Sequence, residues 1–527
     1  MYKKIRNHFT AFLLLAVIIQ ACSPLTQTQP VQVSRLSATY IDAPLIRGMA
    51  YNQAIQIRVY VAEGPERSYQ AIRLELDGNA VQALQKIDVY AMGGTDNNFL
   101  RNASLLGSAV TLSASMDIPV SMNLKPGLHY IWISPVLKAD ADIAREISIR
   151  SKALITNNSE QHQISDGGKA NFKKRLALAL RKAGDEGVNT YRIPGMATTD
   201  KGTLISVYDI RYDNSRDLPA NIDVGMNRST DGGKTWEPMK IIMDMGGPQE
   251  NSGIGDPAVL FDPATKRIWV AALWSKGNRS IAGSEPGLAP DITGQFVLVS
   301  SDDDGKTWSR PYSITSQVKD PKWHLYFNGP GNGIAMENGT LVFPSQYWDE
   351  SKKPGIPHSA IIYSEDQGKT WKSGIGAKSN TTESQVVETT PGTLMLNMRD
   401  NRGKYRSIAT TKDLGANWLE HHTSYQALPD PVCMASIIKA RVRVKGKMQD
   451  VLFFSNMASQ TTRKDLTIKA SLDLGETWLP ANELLLDERL SYGYSALSKI
   501  DDETIGILYE GEKDLYFMRV PVADIIK

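Results

Sequence analysis

The chain has 527 residues, which exceeds what one hydrophobic core usually supports and therefore predicts two domains. Its 59 lysine and arginine residues almost balance its 57 aspartate and glutamate residues, so the formal net charge is only +2. This balance argues against a nucleic acid as the main partner, because nucleic-acid-binding proteins usually present a basic face.

The N-terminus has the pattern of an export signal. Basic residues precede an apolar run over residues 11–19, which is much shorter than the roughly 20 residues of a membrane-spanning helix. The following letters, IQAC, resemble the lipobox of bacterial lipoproteins and end at Cys22. We expect a signal peptide over residues 1–22, lipidation of Cys22 and a polar tether over residues 23–34. The expected location is the bacterial outer membrane or periplasm, with an ordinary secretory signal cut near the preceding alanine as the alternative.

Residues 35–160 are predicted to form a small β-sandwich. Short apolar and polar runs alternate there, as in AIQIRVYVAEG and GLHYIWISPVL, without helical periodicity. A polar stretch then places a domain boundary near residue 165. The aromatic residues of this first domain fit both a carbohydrate-binding module and a spacer, since most of them should lie in the core.

From about residue 170 onward the chain repeats itself. Five segments share the pattern Ser/Thr-x-Asp-x-Gly-x-x-Trp, here called Asp boxes, and each predicts a tight turn. The aspartate can accept hydrogen bonds from backbone N–H groups and the glycine permits a positive φ. Five copies favour a structural role over ligand binding. The boxes occupy residues 229–236, 301–308, 364–371, 411–418 and 471–478.

Six apolar strand cores alternate with the boxes and define units of 53 to 73 residues. Such units without a convincing helix predict a six-bladed β-propeller over residues 170–527, so the predicted fold class is all-β. A large sandwich or a β-helix would not explain one box per unit. Polar or aromatic residues end each core, which predicts a site in the central channel. The cores begin near Leu204, Ile268, Leu341, Leu394, Val451 and Ile505.

Disulfide and metal chemistry find no support in the sequence. Its two cysteines are Cys22 and Cys433, and lipidation of the first leaves the second as a small core residue without a partner. The seven histidines show no metal-ligand spacing, and His421 and His422 are adjacent and isolated.

The letters YRIP, residues 191–194, place Arg192 immediately before the conformationally restricted pair Ile193-Pro194. Proline pushes the preceding residue, Ile193, towards extended backbone, which predicts a rigid strand start. Together with the five boxes, this motif resembles the exo-sialidase (neuraminidase) superfamily over residues 180–527, in particular secreted bacterial sialidases with an additional N-terminal β-domain.

The resemblance implies hydrolysis of terminal α-linked sialic acids on glycans, glycoproteins or glycolipids, with retention of configuration. It implies no metal and no organic cofactor. Linkage preference and oligomeric state stay open. The alternatives are a trans-sialidase with the same residues, a sialic-acid-binding propeller without catalysis, and a structural Asp-box receptor, which would have no reason to carry YRIP.

The sialic acid carboxylate calls for planar, permanently charged donors, which arginines provide. The family uses three, and Arg192, Arg399 and Arg463 match their motifs. Arg211 is a candidate for a further substrate contact, and Glu510 resembles the carboxylate that holds the first arginine. The nearby competitors are Arg402, Arg406 and Lys464.

The resemblance also assigns the reacting groups. The substrate's own carboxylate would repel a carboxylate nucleophile, and sialidases accordingly use a tyrosine, which needs a neighbouring base. Tyr494 matches this nucleophile, Glu383 the base that activates it, and Asp217 the acid that protonates the leaving oxygen. Asp256 is interpreted as a supporting residue at the rim of the site. Tyr492, Glu388, Asp213 and Asp223 compete for these roles, and Trp274 and Met336 are candidates for an apolar pocket.

Overall fold

The structure is a computed structural model that describes residues 35–92, 100–169, 172–246 and 251–527. Within these ranges no helix is long and apolar enough to cross a membrane. The predicted signal peptide, Cys22 and the tether lie outside the described residues. The all-β prediction is confirmed. The short helices are Gly78–Ala83, Thr315–Val318 and Val522–Ile525, with 3-10 turns at Leu100–Asn102, Asp185–Gly187, Ile281–Gly283 and Pro480–Asn482.

The first domain is a sandwich of two antiparallel sheets. Alternating burial along Arg35–Tyr40 and Ile55–Val61 sends every second side chain into a core shared by both sheets. The five-stranded sheet runs Arg35–Tyr40, Ile55–Val61, Gly127–Leu137, Leu84–Met92 and Ser104–Ala109. The four-stranded sheet runs Gln161–Gln163, Ile149–Thr156, Arg67–Leu76 and Ser115–Leu124.

Six further sheets form a ring of blades, here numbered 1 to 6. Blade 1 contains Thr190–Thr198, Leu204–Arg211, Ile222–Ser229 and Lys240–Met243, from the innermost strand outward. Blade 2 contains Gly253–Phe261, Ile268–Ser275, Gln295–Ser301 and Tyr312–Ser313, with Gly331–Asn332 beside its inner strand. Blade 3 contains Leu325–Asn328, Leu341–Trp348, Pro357–Ser364 and Lys372–Ser373, with Ile334–Ala335 and Lys378–Ser379 paired to its middle strands.

The ring continues through blades 4 to 6. Blade 4 contains Thr381–Thr390, Thr393–Asp400, Ser407–Thr411 and Leu419–Glu420, and Lys404–Tyr405 pairs with Pro429–Asp430 beside it. Blade 5 contains Ser436–Val444, Lys447–Met457, Leu466–Ser471 and Glu483–Asp487. Blade 6 contains Ser495–Asp501, Thr504–Glu510, Leu515–Pro521 and Lys174–Arg181. All six predicted strand cores are the second strands of their blades.

The ring closes by joining the start of the propeller to its end. Lys174–Arg181 supplies the outer strand of blade 6 and pairs antiparallel with Leu515–Pro521. Two short strands from the first 160 residues extend the same sheet, Leu45–Arg47 in parallel and Glu146–Ile147 in antiparallel orientation. The sandwich is therefore attached to the propeller by backbone pairing, and side chains such as Arg47 add to it by donating to Lys234 O.

Each Asp box is a turn between the third and fourth strands of a blade. In the first box the Ser229 hydroxyl accepts from Gly233 N at 2.9 Å, and Asp231 accepts from Thr235 N at 3.0 Å. Gly233 has a φ of 83°, as the prediction requires. Because the second and third strands are antiparallel, the boxes lie on the propeller face opposite the ends of the second strands.

Candidate active site

Five of the eight predicted site residues lie on strands whose ends meet at one mouth of the channel, and Asp217, Arg463 and Tyr494 lie in the loops beside them. Arg211 and Glu510 end the second strands of blades 1 and 6, and Arg399 is the penultimate residue of that strand in blade 4. Arg192 and Glu383 lie near the starts of the inner strands of blades 1 and 4. Antiparallel pairing puts the start of an inner strand beside the end of the second strand, so the ring gathers all five at one face.

Arg192 is held by a fully buried carboxylate. Its Nε donates to Glu510 Oε1 at 3.0 Å, and Tyr494 N donates to Glu510 Oε2 at 2.9 Å. The guanidinium lies over the rings of Tyr492 and Tyr494, at 4.6 and 5.3 Å from their centroids. Burial alone would lower the pKa of Arg192, but Glu510, Tyr494 and Asp217 outweigh it and hold that pKa above its usual range. The arginine is therefore charged and oriented before any ligand arrives.

The prediction of extended backbone at Ile193 is wrong. Its φ is 57°, in the left-handed region, and a bulge separates Arg192 from Gly195 in the pairing of blade 1. In this conformation Ile193 N donates to Glu510 Oε1 at 2.9 Å. A β-branched residue with positive φ costs about 1–3 kcal/mol. The buried Glu510 carboxylate offsets this strain, and the strained residue lies directly beside Arg192.

Tyr494, Glu383 and Arg399 form a connected group. Tyr494 Oη donates to Glu383 Oε1 at 2.5 Å, while Arg399 Nη1 donates to Glu383 Oε2 at 2.6 Å and to Tyr494 Oη at 2.9 Å. Burial and then the Glu383 carboxylate raise the pKa of Tyr494 well above its usual range, against Arg399 and Arg192. The phenol is therefore neutral at rest, and its proton points at a carboxylate that can accept it.

The third predicted arginine, Arg463, approaches the same tyrosine. Its Nη1 donates to Tyr492 O at 2.9 Å and its Nη2 to Val432 O at 3.2 Å. Its guanidinium carbon lies 5.8 Å from the Tyr494 ring centroid. Two backbone carbonyls thus orient this charge, and three arginines surround Tyr494.

Asp217 lies in the loop after the second strand of blade 1, with a side chain that is 78% exposed. Arg211 Nη1 donates to its Oδ1 at 2.7 Å, and Arg192 Nη1 lies 3.5 Å from the same atom. Arg211 is itself fixed by Asp209, which accepts from its Nε and Nη2 at 3.0 and 2.8 Å. Partial loss of water from the neighbouring groups raises the pKa of Asp217, but the charges of Arg211 and Arg192 outweigh it and leave that pKa below its usual range.

Asp256 lies closer to these charged residues than the rim position that the sequence indicates. Its backbone N–H donates to Asp209 Oδ1 at 2.8 Å, and its φ is 58°. Burial, followed by the charges of Asp209 and Asp217, raises the pKa of Asp256 well above its usual range. The one signal in the sequence is its position before a proline in a glycine-rich turn, which does not reveal the neighbouring carboxylates.

Most of the competing residues have other partners or positions, whereas Tyr492 stays in the site with its ring centroid 4.6 Å from the Arg192 guanidinium. Arg406 is fully buried and donates to Asn397 Oδ1 and Cys433 O, so it supports the core. Glu388 lies at the far end of the strand that carries Glu383 and accepts from two backbone N–H groups. The others also have partners or positions elsewhere: Arg402 pairs with Asp400, Lys464 with Asp465, Asp223 accepts from Tyr212 Oη, and Asp213 is exposed.

The two candidates for an apolar pocket lie in packed surroundings. Met336 is buried in the core between blades 3 and 4, so the expectation that it lines the site is wrong. Trp274 packs on the core of blades 1 and 2 and donates to Met245 O at 3.0 Å. Cys433 is buried, as predicted for a small core residue, and packs behind Tyr494.

A six-bladed propeller whose mouth combines three arginines, a tyrosine–glutamate pair and a loop aspartate defines a class of glycosidase for acidic sugars. Residues 215–508 match the BNR repeat-like domain, and residues 34–160 match the N-terminal domain of BNR-repeat neuraminidase. The chain therefore belongs to the BNR-repeat neuraminidase family and is an enzyme of the glycoside hydrolase class.

Individual proteins support this assignment over most of the chain. A sialidase of Bacteroides fragilis (strain YCH46) is 48% identical over 416 residues, which cover 77% of this chain and 75% of that protein. A sialidase of Micromonospora viridifaciens is 34% identical over 336 residues, covering 62% of this chain and 50% of that protein. The solved structure of the Hadza microbial sialidase Hz136 superimposes with a TM-score of 0.86 at 37% identity, covering 93% of this chain and all of that one.

Proposed function

We propose that this protein is a retaining exo-α-sialidase that hydrolyses terminal α-linked sialic acids on glycans, glycoproteins or glycolipids. The observation that carries the proposal is the contact of Tyr494 with Glu383 and Arg399, beside the fixed charge of Arg192. The sialidases that this chain resembles support the choice of substrate.

Arg192, Arg399 and Arg463 bind the substrate carboxylate in this proposal. Their planar donors surround the Tyr494 ring, and each is already oriented by a carboxylate or by backbone carbonyls. A preorganised clamp loses little entropy on binding and holds the anomeric carbon near the nucleophile.

The first chemical step joins the enzyme to the sugar. Tyr494 Oη attacks the anomeric carbon while its proton passes to Glu383, 2.5 Å away. The bond from the anomeric carbon to the glycosidic oxygen breaks, and that oxygen takes a proton from Asp217. The tyrosine is neutral before the reaction, which avoids repulsion by the substrate carboxylate.

The second step releases the sugar. Water attacks the anomeric carbon and gives a proton to the Asp217 carboxylate. The bond from the carbon to Tyr494 breaks, and the phenolate regains its proton from Glu383. Two displacements at one carbon retain its configuration.

Substrate binding prepares Asp217 for its role as an acid. In the free protein, Arg211 and Arg192 hold the pKa of Asp217 below its usual range. A substrate carboxylate on Arg192 supplies a negative charge near Asp217 and reduces the effect of that arginine, which raises the pKa of Asp217. An acid with a raised pKa is what the leaving oxygen requires.

We also propose that the protein is exported and anchored in a bacterial membrane by lipid on Cys22, which exposes the propeller to glycans outside the cytoplasm. The lipobox-like letters IQAC support this proposal. Lipid labelling of the natural host should mark the wild type and not Cys22→Ser, and the variant should leave the membrane fraction. Equal labelling of both would contradict the anchor.

Time-resolved NMR of sialyl-α2,3-lactose turnover tests the catalytic proposal, with wild type and Tyr494→Phe compared. Free sialic acid should appear first as the α anomer, and the variant should release none at a comparable rate. Initial release of the β anomer would contradict retention. An anhydro-sugar product would indicate an intramolecular trans-sialidase, and saturable binding without turnover would indicate a sialic-acid-binding protein.

A further inference from the structure

On the propeller face opposite the candidate active site, two histidines meet a carboxylate at the boundary between blades 4 and 5. His421 and His422 follow the outer strand of blade 4, and Glu476 lies in the fifth Asp box, 54 residues after His422. One ligand atom from each residue lies within 4.8 Å of the other two. The sequence does not indicate a metal site at these adjacent histidines, because the third ligand comes from the next blade.

Both imidazoles face the Glu476 carboxylate at distances that leave room for a shared ion, and the shorter contact is also a long hydrogen bond. His421 Nε2 lies 3.4 Å from Glu476 Oε1, and His422 Nδ1 lies 3.7 Å from Glu476 Oε2. Both exceed the roughly 2.7–3.2 Å of an ordinary N–H···O hydrogen bond. Two ligands that are each about 2.1 Å from a tetrahedral zinc ion lie about 3.4 Å apart.

The other nitrogen of each imidazole already has a partner. His421 Nδ1 lies 2.8 Å from Thr423 Oγ1, and His422 Nε2 lies 3.1 Å from the Glu476 carbonyl oxygen. His421 Nδ1 can donate to Thr423 Oγ1 or accept from Thr423 N, which lies 3.4 Å away. In the tautomers in which this nitrogen and His422 Nε2 donate, the nitrogens that face the Glu476 carboxylate carry free lone pairs. Hydrogen bonds of this kind select the tautomer and the orientation of metal-binding histidines.

The backbone that carries the three side chains is fixed. Asp473 accepts from Thr477 N at 2.9 Å, which holds the turn around Glu476, and His421 N donates to Ile408 O at 2.9 Å. The His421 side chain is only 10% exposed, whereas His422 and Glu476 are about 60% exposed. An ion can therefore enter from solvent and keep a water ligand.

We propose that His421, His422 and Glu476 bind a Zn²⁺ ion that joins blades 4 and 5. Two imidazoles and one carboxylate form a ligand set that zinc accepts, with water in the fourth position. The ligands come from separate blades, so the ion binds the folded ring and stabilises it. The site contains none of the groups around Tyr494, so its role is structural.

Calorimetric titration of metal-stripped protein with Zn²⁺ tests the proposal, using protein purified without a polyhistidine tag. The wild type should bind one equivalent, and saturating Zn²⁺ should raise its melting temperature. Glu476→Gln replaces an exposed side chain and preserves its volume, so it should fold normally. We expect this variant and His421→Ala each to bind Zn²⁺ at least tenfold more weakly and to lose the thermal shift.

His358→Ala is the matched control, because His358 also faces a single carboxylate, 3.0 Å away on Asp349, but belongs to no group of three among the residues that the structure describes. It should bind Zn²⁺ like the wild type. Failure of the wild type to bind, or equal binding by wild type and Glu476→Gln, would overturn the proposal. Equal losses in His358→Ala and His421→Ala would do the same.

Discussion

The Asp boxes and the candidate active site use carboxylates in opposite ways on opposite faces of the propeller. In the third box, Asp366 accepts from Ser364 and Thr370, which are two and four residues away. In the site, Glu510 accepts from Arg192 and Ile193, which are 318 and 317 residues away. A box can therefore form within one turn, whereas the site exists only after the ring has closed.

The electrostatics of the two faces differ for the same reason. Hydrogen bonds from the Thr370 side chain and backbone hold the pKa of Asp366 at about 2, so the box stabilises an anion by itself. Burial and neighbouring carboxylates raise the pKa of Asp256 well above its usual range. The pKa values at the site thus depend on charges from several blades and on any bound ligand. Substitutions in the site should therefore change catalysis, whereas substitutions in the boxes should change only stability.

The largest effect should come from Glu383, and Glu388 near the far end of the same strand supplies the comparison. Glu383→Gln removes the carboxylate that faces Tyr494 and that we propose as its base, and it should lower kcat by about 10²–10⁴-fold. Glu388→Gln is the matched control, since Glu388 lies on the same strand and only caps backbone N–H groups. It should keep kcat within about twofold, although it should lower the melting temperature. Equal losses of kcat in the two variants, measured by steady-state assays, would show that Glu383 does not act in the reaction.

Asp217→Asn should lower kcat by a similar factor with a poor leaving group and by less with a good one. We expect about a 10²–10⁴-fold loss of kcat with sialyllactose, because the leaving alkoxide needs a proton. An aryl sialoside whose phenol is acidic should lose far less. Asp213→Asn, in the same loop but exposed, should match the wild type on both substrates. Equal losses on both substrates would argue against acid catalysis by Asp217.

The pH profiles should show how the ligand changes Asp217. Arg211 and Arg192 lower the pKa of Asp217 in the free protein. Because kcat/KM reports the free enzyme, it should begin to fall already at low pH, where Asp217 loses its proton. In the proposed complex the substrate carboxylate should raise that pKa, so kcat should persist to higher pH. Coincident alkaline limbs for kcat and kcat/KM would contradict this coupling.

Glu510→Gln should lower both stability and substrate binding. The variant leaves the buried Arg192 charge without its partner, at a cost of about 3 kcal/mol. It should also raise KM, because the first arginine loses its orientation. Urea unfolding and steady-state kinetics measure the two effects. Glu503→Gln, an exposed carboxylate paired with Arg443, should change neither, and a silent Glu510→Gln would contradict the role of Glu510 in fixing the site.

The sequence allows the repeated parts of the fold to be predicted because they are local. The spacing of the Asp boxes indicates the turns, and the apolar cores indicate the second strands. No local pattern marks Lys174–Arg181 as the outer strand of blade 6, because its partner lies at the other end of the chain. Closure of the ring is a property of the whole chain.

The site was predictable mainly through resemblance. From its own residues Tyr494 looks like a packed strand residue, and only the motif match singles it out. The backbone at Ile193 could not be predicted, because the carboxylate that stabilises its positive φ lies 317 residues away. The place of Asp256 in the site is hidden for a similar reason, since its pKa is raised by burial within the assembled ring and then by Asp209 and Asp217 from blade 1.

The smallest effect should come from a box. Asp366→Ala removes hydrogen bonds that resemble those of a helix N-cap and should cost about 1 kcal/mol, with kcat unchanged. Because the folded pKa of Asp366 is about 2 and an unfolded aspartate titrates near 3.9, this stability is present at neutral pH and is lost as the pH falls towards 2. The gap in melting temperature between wild type and variant should therefore be smaller at pH 3.5 than at pH 7. A gap that does not change with pH would show that the turn does not depend on the ionised carboxylate, and a loss of kcat would show that the two faces are coupled.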